Sequence, residues 1–485
     1  MLIGVARDAF IYLLPTLLSR GLGLILLPIY TRHLAPRDYG LLELLILVFT
    51  LLNLIVPLEL SQAIARFSPD AKTEAQRSVY FSTAFWFTAG GFAIVAVGAS
   101  IAPTMLARML LQAVELERIL PLASLAMLAN ALLYLVQSQL RWNLQPLAYF
   151  SVSVVFSLFL AGVSVVLIVF FHAGVMGYVW GQLAGSATAL ALGIVLVRER
   201  SPLRMLFRRA AFVEMLSFSA PLVVSSTAVY MSTFLDRWIV GGLIGVEGVG
   251  VYSVAIRIAS VVAVVATGVQ LALTPFVYHR YREPAMRQLL GTILQFYLLL
   301  LSGLALIVGG FSREIVSLLT GNGYSEAASV AGWLCLSALL ASLTMFAPGL
   351  AIEKKTGLIA LANTAGALLN AVLGITLTAW FGLRGAATAT ILSGAAVAYI
   401  QFRLGQRYFP VPFPWMRNAA GFAVLLMALA LFSSGDLALE WRAALVVSSC
   451  LLLTVTFLGA AQRNALTAPV ARYWRAVMGR RAGHR

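Results

Sequence analysis

Residues 17–40 read LLSRGLGLILLPIYTRHLAPRDYG and form the greater part of the first apolar run in the chain. From Phe10 to Tyr30 this run is about 21 residues long, which at 1.5 Å per residue matches the ~30 Å hydrocarbon core of a bilayer. Arg20 lies near its middle, where a charge costs at least ~2.5–3.5 kcal/mol. The stretch therefore predicts a transmembrane helix that carries a permanent cation.

The composition of the whole chain agrees with this prediction. Of its 485 residues, 61% are hydrophobic and 11% are charged, and the mean hydropathy is +0.93. These values exclude an ordinary soluble globular protein and indicate a polytopic membrane protein. Cys335 and Cys450 lie in separate apolar runs, which is typical of small buried hydrophobes. The histidines have no metal-binding spacing, so we expect no metal site and no cofactor.

Fourteen apolar runs of helix-spanning length follow one another along the chain, separated by short charged or Gly/Pro-containing loops. They lie near residues 9–31, 39–65, 79–102, 119–140, 147–171, 174–197, 213–241, 249–277, 289–311, 327–350, 357–381, 385–405, 416–434 and 441–461. We predict an all-α fold with about 14 transmembrane helices. The loops are too short to hold a nucleotide-binding domain.

Positive charge is distributed unequally between alternate loops. With the N-terminus inside, the cytoplasmic segments hold 24 of the 34 Lys and Arg residues, whereas Arg20 and Arg257 lie within spans. The eight on the outer side are Arg32, Arg37, Arg108, Arg118, Arg237, Arg313, Arg384 and Arg442. This bias predicts that both termini are cytoplasmic. The net charge of +16 then faces anionic membrane lipids, and no soluble basic face is left for nucleic acid.

The two halves of the chain have similar patterns. An offset of 210 residues brings Gly40 onto Gly250, and GVMGYVWGQLAGSATALALG (174–193) resembles GLRGAATATILSGAAVAYIQ (382–401). Six helices per repeat is an even number, so the two halves have the same orientation in the membrane. We predict two six-helix lobes in a parallel pseudo-repeat, followed by two C-terminal helices. The boundaries are 1–200 and 201–410 for the lobes, 411–462 for the two additional helices, and 463–485 for a basic cytoplasmic tail.

Three stretches resemble one known family. LLSRGLGLILLPIYTRHLAPRDYG is similar to the opening signature of the polysaccharide-transport branch of the multidrug/oligosaccharidyl-lipid/polysaccharide exporter superfamily. DRWIVGGLIGVEGVGVYSVAIRIA (236–259) is similar to its D-R, G-x-Y and A-x-basic pattern. LIALANTAGALLNAVLGITLTAWFGLRGAA (358–387) is a third match, with Asn363 and Asn370 in the eleventh span.

The resemblance implies a flippase that moves undecaprenyl-diphosphate-linked oligosaccharide across the bacterial inner membrane for polysaccharide biosynthesis. It implies alternating access, with a central cavity that opens to each side in turn. The implied partners are the lipid-linked oligosaccharide diphosphate and membrane lipids, and a polysaccharide polymerase or export machinery fits the same role. The glycan, the coupling ion and the oligomeric state do not follow from it.

Three arginines are candidates for binding the substrate. Arg20 and Arg257 lie within spans of opposite predicted lobes, and Arg66 lies at the inner end of the second span. A guanidinium presents a fixed fork of donors that matches a phosphate and keeps its charge. The alternatives are that each intramembrane arginine pairs with a nearby acid or extends to an interface, and that Arg66 belongs to the cytoplasmic positive charge.

Three further charged residues are candidates for coupling or gating. Glu59 follows Pro57 in the second span, and Asp236 with Arg237 lies near the outer end of the seventh. A carboxyl group in a span can carry a proton or pair with an arginine, and structural ion pairs also occupy such positions. Glu43, nearer to the interface, is expected to be solvated.

Two other functions compete with a flippase. A multidrug or cation exporter of the same fold would need acidic groups to outweigh basic ones in its cavity, whereas the deepest charge here is Arg20. A membrane polymerase or ligase for lipid-linked glycans would need a site for sugar chemistry on a sizeable outer loop, and the outer loops are short. The sequence therefore favours a transporter over an enzyme.

Overall fold

The computed structural model describes residues 15, 21–68, 71, 73–108, 114–198, 201–434, 437–460 and 462–463. Helix α1 covers residues 21–33, and the later helices are α2 Pro36–Ile55, α3 Leu60–Phe67, α4 Glu74–Ile101, α5 Pro103–Leu106, α6 Leu120–Trp142, α7 Pro146–Val165, α8 Gly174–Val197, α9 Arg209–Leu243, α10 Val246–Arg280, α11 Pro284–Gly310, α12 Ser312–Leu319, α13 Ala327–Ser342, α14 Gly349–Ile352, α15 Thr356–Gly405, α16 Trp415–Ser434 and α17 Leu439–Phe457. No strand occurs in these ranges. Twelve helices of this described part are long and apolar enough to cross a membrane, which confirms the predicted all-α polytopic class.

The predicted number of about 14 spans agrees with these helices. The 50 residues of α15 would extend about 75 Å, more than twice the hydrocarbon core, and its backbone breaks at Gly382 (φ 59°, ψ −138°). Glycine adopts this conformation readily because it has no Cβ. The break separates the predicted spans 357–381 and 385–405. Helix α1 is the described part of the predicted span 9–31, and Arg20 lies outside the described residues.

The second predicted span, 39–65, is not one continuous helix. It breaks between α2 and α3, where Leu58 (φ 51°) and Glu59 (φ 54°) both adopt left-handed conformations. Pro57 cannot donate a backbone hydrogen bond, so a helix that reaches it is interrupted there. Two consecutive non-glycine residues in this region store strain, and strain of this kind clusters at functional sites.

The described residues form two compact units. Unit 1 comprises the chain up to Val254 together with Leu318–Tyr324, and unit 2 comprises Ala255–Ser317 and the chain from Ser325 onward. In unit 1, apolar side chains of α3, α4, α6, α8 and the start of α9 form one buried cluster. In unit 2, α11 packs against α13, α16 and α17, and α13 packs against α15.

Small residues allow close helix packing in α8. A Cβ atom on Gly181 would lie 2.8 Å from the carbonyl oxygen of Leu160, and one on Gly185 would lie 2.8 Å from that of Phe156. The preceding Gly174 has φ 56°, close to the φ of 59° at Gly382. These two glycines begin the two stretches whose sequences resemble each other, so the local backbone repeats where the sequence does.

A buried arginine ties α17 to the end of α11 in unit 2. Both terminal nitrogens of Arg442 donate to the carboxylate of Glu314, at 2.5 and 2.9 Å, and Nη1 also donates to the carbonyl oxygen of Gly310 at 3.1 Å. The Arg442 side chain is 8% exposed and that of Glu314 is 42% exposed. Hydrogen bonds from Arg442 hold the pKa of Glu314 below its ordinary value.

We expect Arg442→Gln to lower the free energy of unfolding by roughly 2–3 kcal/mol, because the buried carbonyl oxygen of Gly310 and the half-exposed carboxylate of Glu314 both lose their charged donor. The matched control is Arg37→Gln, which removes the exposed ion pair with Glu115 and should cost less than about 1 kcal/mol. Since the pKa of Glu314 is lowered, the contribution of its ion pair with Arg442 is fully present above the ordinary glutamate pKa and is lost as the pH falls through the lowered one. Thermal unfolding in detergent measures both variants, and equal effects would contradict this assignment.

Candidate functional site

The first turns of α2 and α10 cross in direct backbone contact. A Cβ atom on Gly40 would lie 1.9 Å from the carbonyl oxygen of Val246, and one on Gly250 would lie 2.1 Å from the carbonyl oxygen of Pro36. Each glycine therefore faces the carbonyl group of the residue four positions before the other glycine. The offset of 210 residues maps Pro36 onto Val246 and Gly40 onto Gly250, so the crossing is symmetric under the sequence repeat.

Residues 318–324 close the same end of unit 1 by docking on the loop between α1 and α2. The hydroxyl group of Tyr324 donates to the carbonyl oxygen of Leu34 at 2.9 Å, and the amide of Gly321 donates to that of Thr31 at 3.2 Å. Burial raises the pKa of Tyr324, so its hydroxyl group stays protonated and keeps donating. We call residues 31–40, 246–250 and 318–324 together the outer clasp, because the charge pattern assigns them to the outer side.

The predicted gate residues Asp236 and Arg237 lie on α9, two turns before the tight connection to α10. Asp236 Oδ1 accepts a hydrogen bond from the backbone amide of Arg237 at 2.8 Å, and the hydroxyl group of Tyr252 lies beside the same carboxyl group. The Arg237 guanidinium lies 5.1 Å from the ring centre of Phe234. Three members of the family pattern, Asp236, Arg237 and Tyr252, are therefore brought together, and Tyr252 follows Gly250 by two residues.

Glu43 is an additional candidate that the sequence did not single out. Its sequence position predicts a solvated side chain at the interface, but only 5% of its surface is exposed. It follows Gly40 by three residues and so lies on the same face of α2 as the crossing. That spacing is the one sequence signal that could have identified it. A buried carboxyl group beside a contact between repeats is a candidate for controlling that contact.

The candidates Glu59 and Arg66 lie elsewhere. The 20 residues of α2 rise about 30 Å, so the break that contains Glu59 is near the membrane boundary opposite to Gly40. Glu59 is half-buried there. Arg66 is exposed in the last turn of α3, with its guanidinium 5.9 Å from the ring centre of Phe67.

Of the two intramembrane arginines, only Arg257 lies among the described residues. Arg257 is half-buried in α10, eleven residues or about 16 Å along the helix from Val246. It is therefore deeper in the helix than the predicted span 249–277 suggests. Arg20 lies outside the described residues, so its role in binding stays a prediction.

Asn363 and Asn370 have structural roles. Gln401 Nε2 donates to Asn363 Oδ1 at 2.8 Å, and Asn370 Nδ2 donates to the Ser393 hydroxyl oxygen at 3.1 Å. Both bonds join the two segments of α15 on either side of Gly382. Such bonds between helices are the ordinary use of amides in spans.

The segment that contains the outer clasp also matches a known protein family. A family described as "Polysaccharide biosynthesis protein" matches residues 29–329, more than half of the chain, and this range includes the whole outer clasp. The chain belongs to this polysaccharide biosynthesis family. The resemblance seen in the sequence is thereby confirmed. No curated protein matches the chain.

The fold is that of known transporters. The chain is similar to the lipid II flippase MurJ in an inward closed conformation, with a TM-score of 0.66 and 15% identity, over 95% of this chain and 100% of that one. It is also similar to an inward-facing multidrug resistance MATE transporter of the MOP superfamily, with a TM-score of 0.64 and 16% identity, over 80% and 94% of the two chains. A MOP superfamily transporter from Pyrococcus furiosus gives a TM-score of 0.56 and 14% identity, over 83% and 94%.

The chain therefore belongs to a polysaccharide biosynthesis family and has the multi-pass membrane fold of known transporters and flippases. The predicted fold class is confirmed by this fold. At identities of 14–16%, the similar structures are evidence for the fold of this chain and for nothing more.

Proposed function

We propose that this protein is a flippase that moves undecaprenyl-diphosphate-linked oligosaccharide from the cytoplasmic to the outer leaflet of the bacterial inner membrane. The family match over residues 29–329 is the observation that carries the proposal, because it connects a membrane-spanning transporter fold with polysaccharide biosynthesis. Lipid-linked sugars are the intermediates of that process that must cross a membrane.

The outer clasp supports alternating access as the mechanism. Residues 31–40 belong to the first predicted lobe, and residues 246–250 and 318–324 belong to the second. The contact at Gly40 and Gly250 involves backbone atoms on both sides, which cannot rotate out of the way as a side chain can. Opening the cavity toward the outer side requires the clasp to separate, and closing requires it to reform.

The charged candidates take distinct roles in this proposal. Arg20 and Arg257, one from each predicted lobe, hold the diphosphate, whose two negative charges need fixed donors in an apolar layer. Arg66 meets the headgroup on the cytoplasmic side. Glu59, at the strained break, responds when the headgroup binds on the cytoplasmic side. Asp236 and Arg237 control the outer clasp.

Deleting the gene and analysing the lipids tests the proposed function. We expect a lipid-linked oligosaccharide to accumulate in the cytoplasmic leaflet and the exported polysaccharide to disappear. Restoring the wild-type protein should reverse both effects. Unchanged lipid-linked intermediates, combined with sensitivity to cationic drugs, would favour a multidrug exporter instead.

The proposed orientation, with both termini cytoplasmic, follows from the unequal charge of the loops. In a background without Cys335 and Cys450, we expect a membrane-impermeant thiol reagent to label Ser325→Cys in intact cells but not Met205→Cys. Both positions are exposed and outside the helices, and Met205 is 87% exposed. Permeabilising the membrane should make Met205→Cys reactive. Labelling of Met205→Cys in intact cells would show the opposite orientation.

A further inference from the structure

Unit 2 contains an apolar cavity of about 260 Å³ between α11, α13, α15 and α16. Its volume is close to the lower end of the ~300–1,000 Å³ that small-ligand pockets have. One wall is an aromatic cluster in which the ring centres of Phe402, Phe413 and Trp415 lie 4.6–5.9 Å apart. In each of these four helices, the residues that line the cavity lie nearer to the end that the charge pattern assigns to the cytoplasmic side.

Asn418 contributes a side-chain amide to this wall. It is 1% exposed, and neither Oδ1 nor Nδ2 has a hydrogen-bond partner within the part of the chain that the structure describes. It lines the cavity together with Trp415, Ala419 and Phe422, which share one face of α16. A buried amide without a partner in an apolar site is costly, so it indicates a ligand with a polar atom at that position.

The aromatic and arginine residues near the cavity indicate its depth in the membrane. Tyr399 and Trp415 line it and are 57% and 47% exposed, and such aromatic residues are enriched at the membrane–water interface. Arg403, Arg407 and Arg417 belong to the same cytoplasmic segment. The cavity therefore lies just below a positively charged surface, at the level where the ester groups of a phospholipid are found.

We propose that this cavity binds one anionic phospholipid of the inner leaflet. An acyl chain fills the apolar space beside Phe402 and Ala419. Asn418 Nδ2 donates a hydrogen bond to a glycerol ester carbonyl group. The phosphate lies toward the arginines of residues 403–417.

The unpaired amide decides between this occupant and the polyprenyl chain of a lipid carrier. A polyprenyl chain has no polar atom along its length, so it would bury Asn418 without a partner. In a phospholipid, an ester carbonyl group stands at the head of the acyl chain. It therefore accepts a hydrogen bond from Asn418 when the chain fills the cavity. This inference does not rest on the proposed function.

Native mass spectrometry of the delipidated full-length protein, titrated with phosphatidylglycerol, tests the inference. We expect one phospholipid to bind tightly to the wild-type protein. Asn418→Leu keeps the volume but removes the amide, and should weaken binding about tenfold, as the loss of one net hydrogen bond predicts. Ala419→Trp fills the cavity and should abolish this binding. The matched control is Ala420→Trp on the same helix, since Ala420 is exposed and does not line the cavity.

Elution volume and melting temperature without lipid show whether each variant is folded. Equal binding by Ala419→Trp and Ala420→Trp would overturn the proposal. So would one-to-one binding of undecaprenyl phosphate that phosphatidylglycerol does not displace, because the cavity would then serve the carrier chain. A preference for phosphatidylglycerol over phosphatidylethanolamine is expected from the arginines, and its reversal would contradict the assigned headgroup.

Discussion

Replacing Gly40 with alanine is expected to abolish transport by each protein molecule that reaches the membrane. The added Cβ atom would lie 1.9 Å from the carbonyl oxygen of Val246, whereas ordinary contacts are 3.4 Å or longer. The obstacle is backbone and cannot rotate away, so α2 and α10 would have to move apart by more than an ångström. Overpacking of this kind costs ~1–3 kcal/mol, which lowers the population of the closed outer clasp by roughly fivefold to 150-fold.

A matched control is available in the same helix as Gly250. A Cβ atom added to Gly268 of α10 would have no other atom within 4 Å, so Gly268→Ala should leave transport intact and improve helix propensity by up to ~1 kcal/mol. Export of glycan, normalised to the amount of protein in the membrane, is the measurement. If Gly40→Ala lowers only the protein level and leaves normalised export unchanged, the crossing serves packing and is not a gate.

The symmetry of the crossing adds a second requirement. Gly250→Ala places its Cβ atom 2.1 Å from the carbonyl oxygen of Pro36 and should reproduce the loss seen with Gly40→Ala. Either substitution already separates the same pair of helices, so the double variant should be little worse than each single one. Independent effects that add in full would mean that the two glycines do not act through one contact.

Arg20→Glu is expected to abolish flipping, and Arg20→Lys to retain part of it. Charge-assisted hydrogen bonds to phosphate are roughly twice as strong as neutral ones, and a reversed charge repels the diphosphate. Lysine keeps the charge but loses the forked geometry. The same order should hold at Arg257, which the proposal assigns to the same diphosphate.

Complementation of glycan export, normalised to the level of membrane protein, separates binding from stability. An arginine with a purely structural role would lower the protein level or the thermal stability when replaced with alanine, but export per molecule would stay intact. Full activity of Arg20→Glu would rule out diphosphate binding there. Arg313→Gln serves as a control, because Arg313 is exposed in α12, on the side that the charge pattern assigns to the outside, and has no assigned role in the pathway.

The sequence predicts the helices well because the thickness of the hydrocarbon core sets the length of each apolar run. The predicted span 174–197 coincides with α8, and the predicted span 213–241 lies within α9, Arg209–Leu243. Helices extend beyond the apolar runs where polar residues continue them outside the hydrocarbon core. The separation of two spans, each long enough to cross the membrane alone, predicts the break at Gly382.

The arrangement around the outer clasp could not be predicted in the same way. The repeat aligns Gly40 with Gly250, but only the folded chain shows that these two residues touch. The burial of Glu43 and the proximity of Tyr252 to Asp236 likewise depend on contacts between distant segments. Local hydropathy carries no information on such contacts. Pro57 is a local signal for the break before α3. However, it lies within a continuous apolar run, and such a run predicts one unbroken helix.

Whether this protein flips a lipid-linked diphosphate sugar can be measured by reconstitution. Purified protein in proteoliposomes, loaded with a labelled undecaprenyl-diphosphate oligosaccharide in one leaflet, is followed by the access of a sugar-specific reagent to the other leaflet. We expect rapid movement with the wild-type protein and with Gly268→Ala, and movement at the rate of empty liposomes with Gly40→Ala and Arg20→Glu. Movement by the wild-type protein no faster than in empty liposomes would contradict the proposed function.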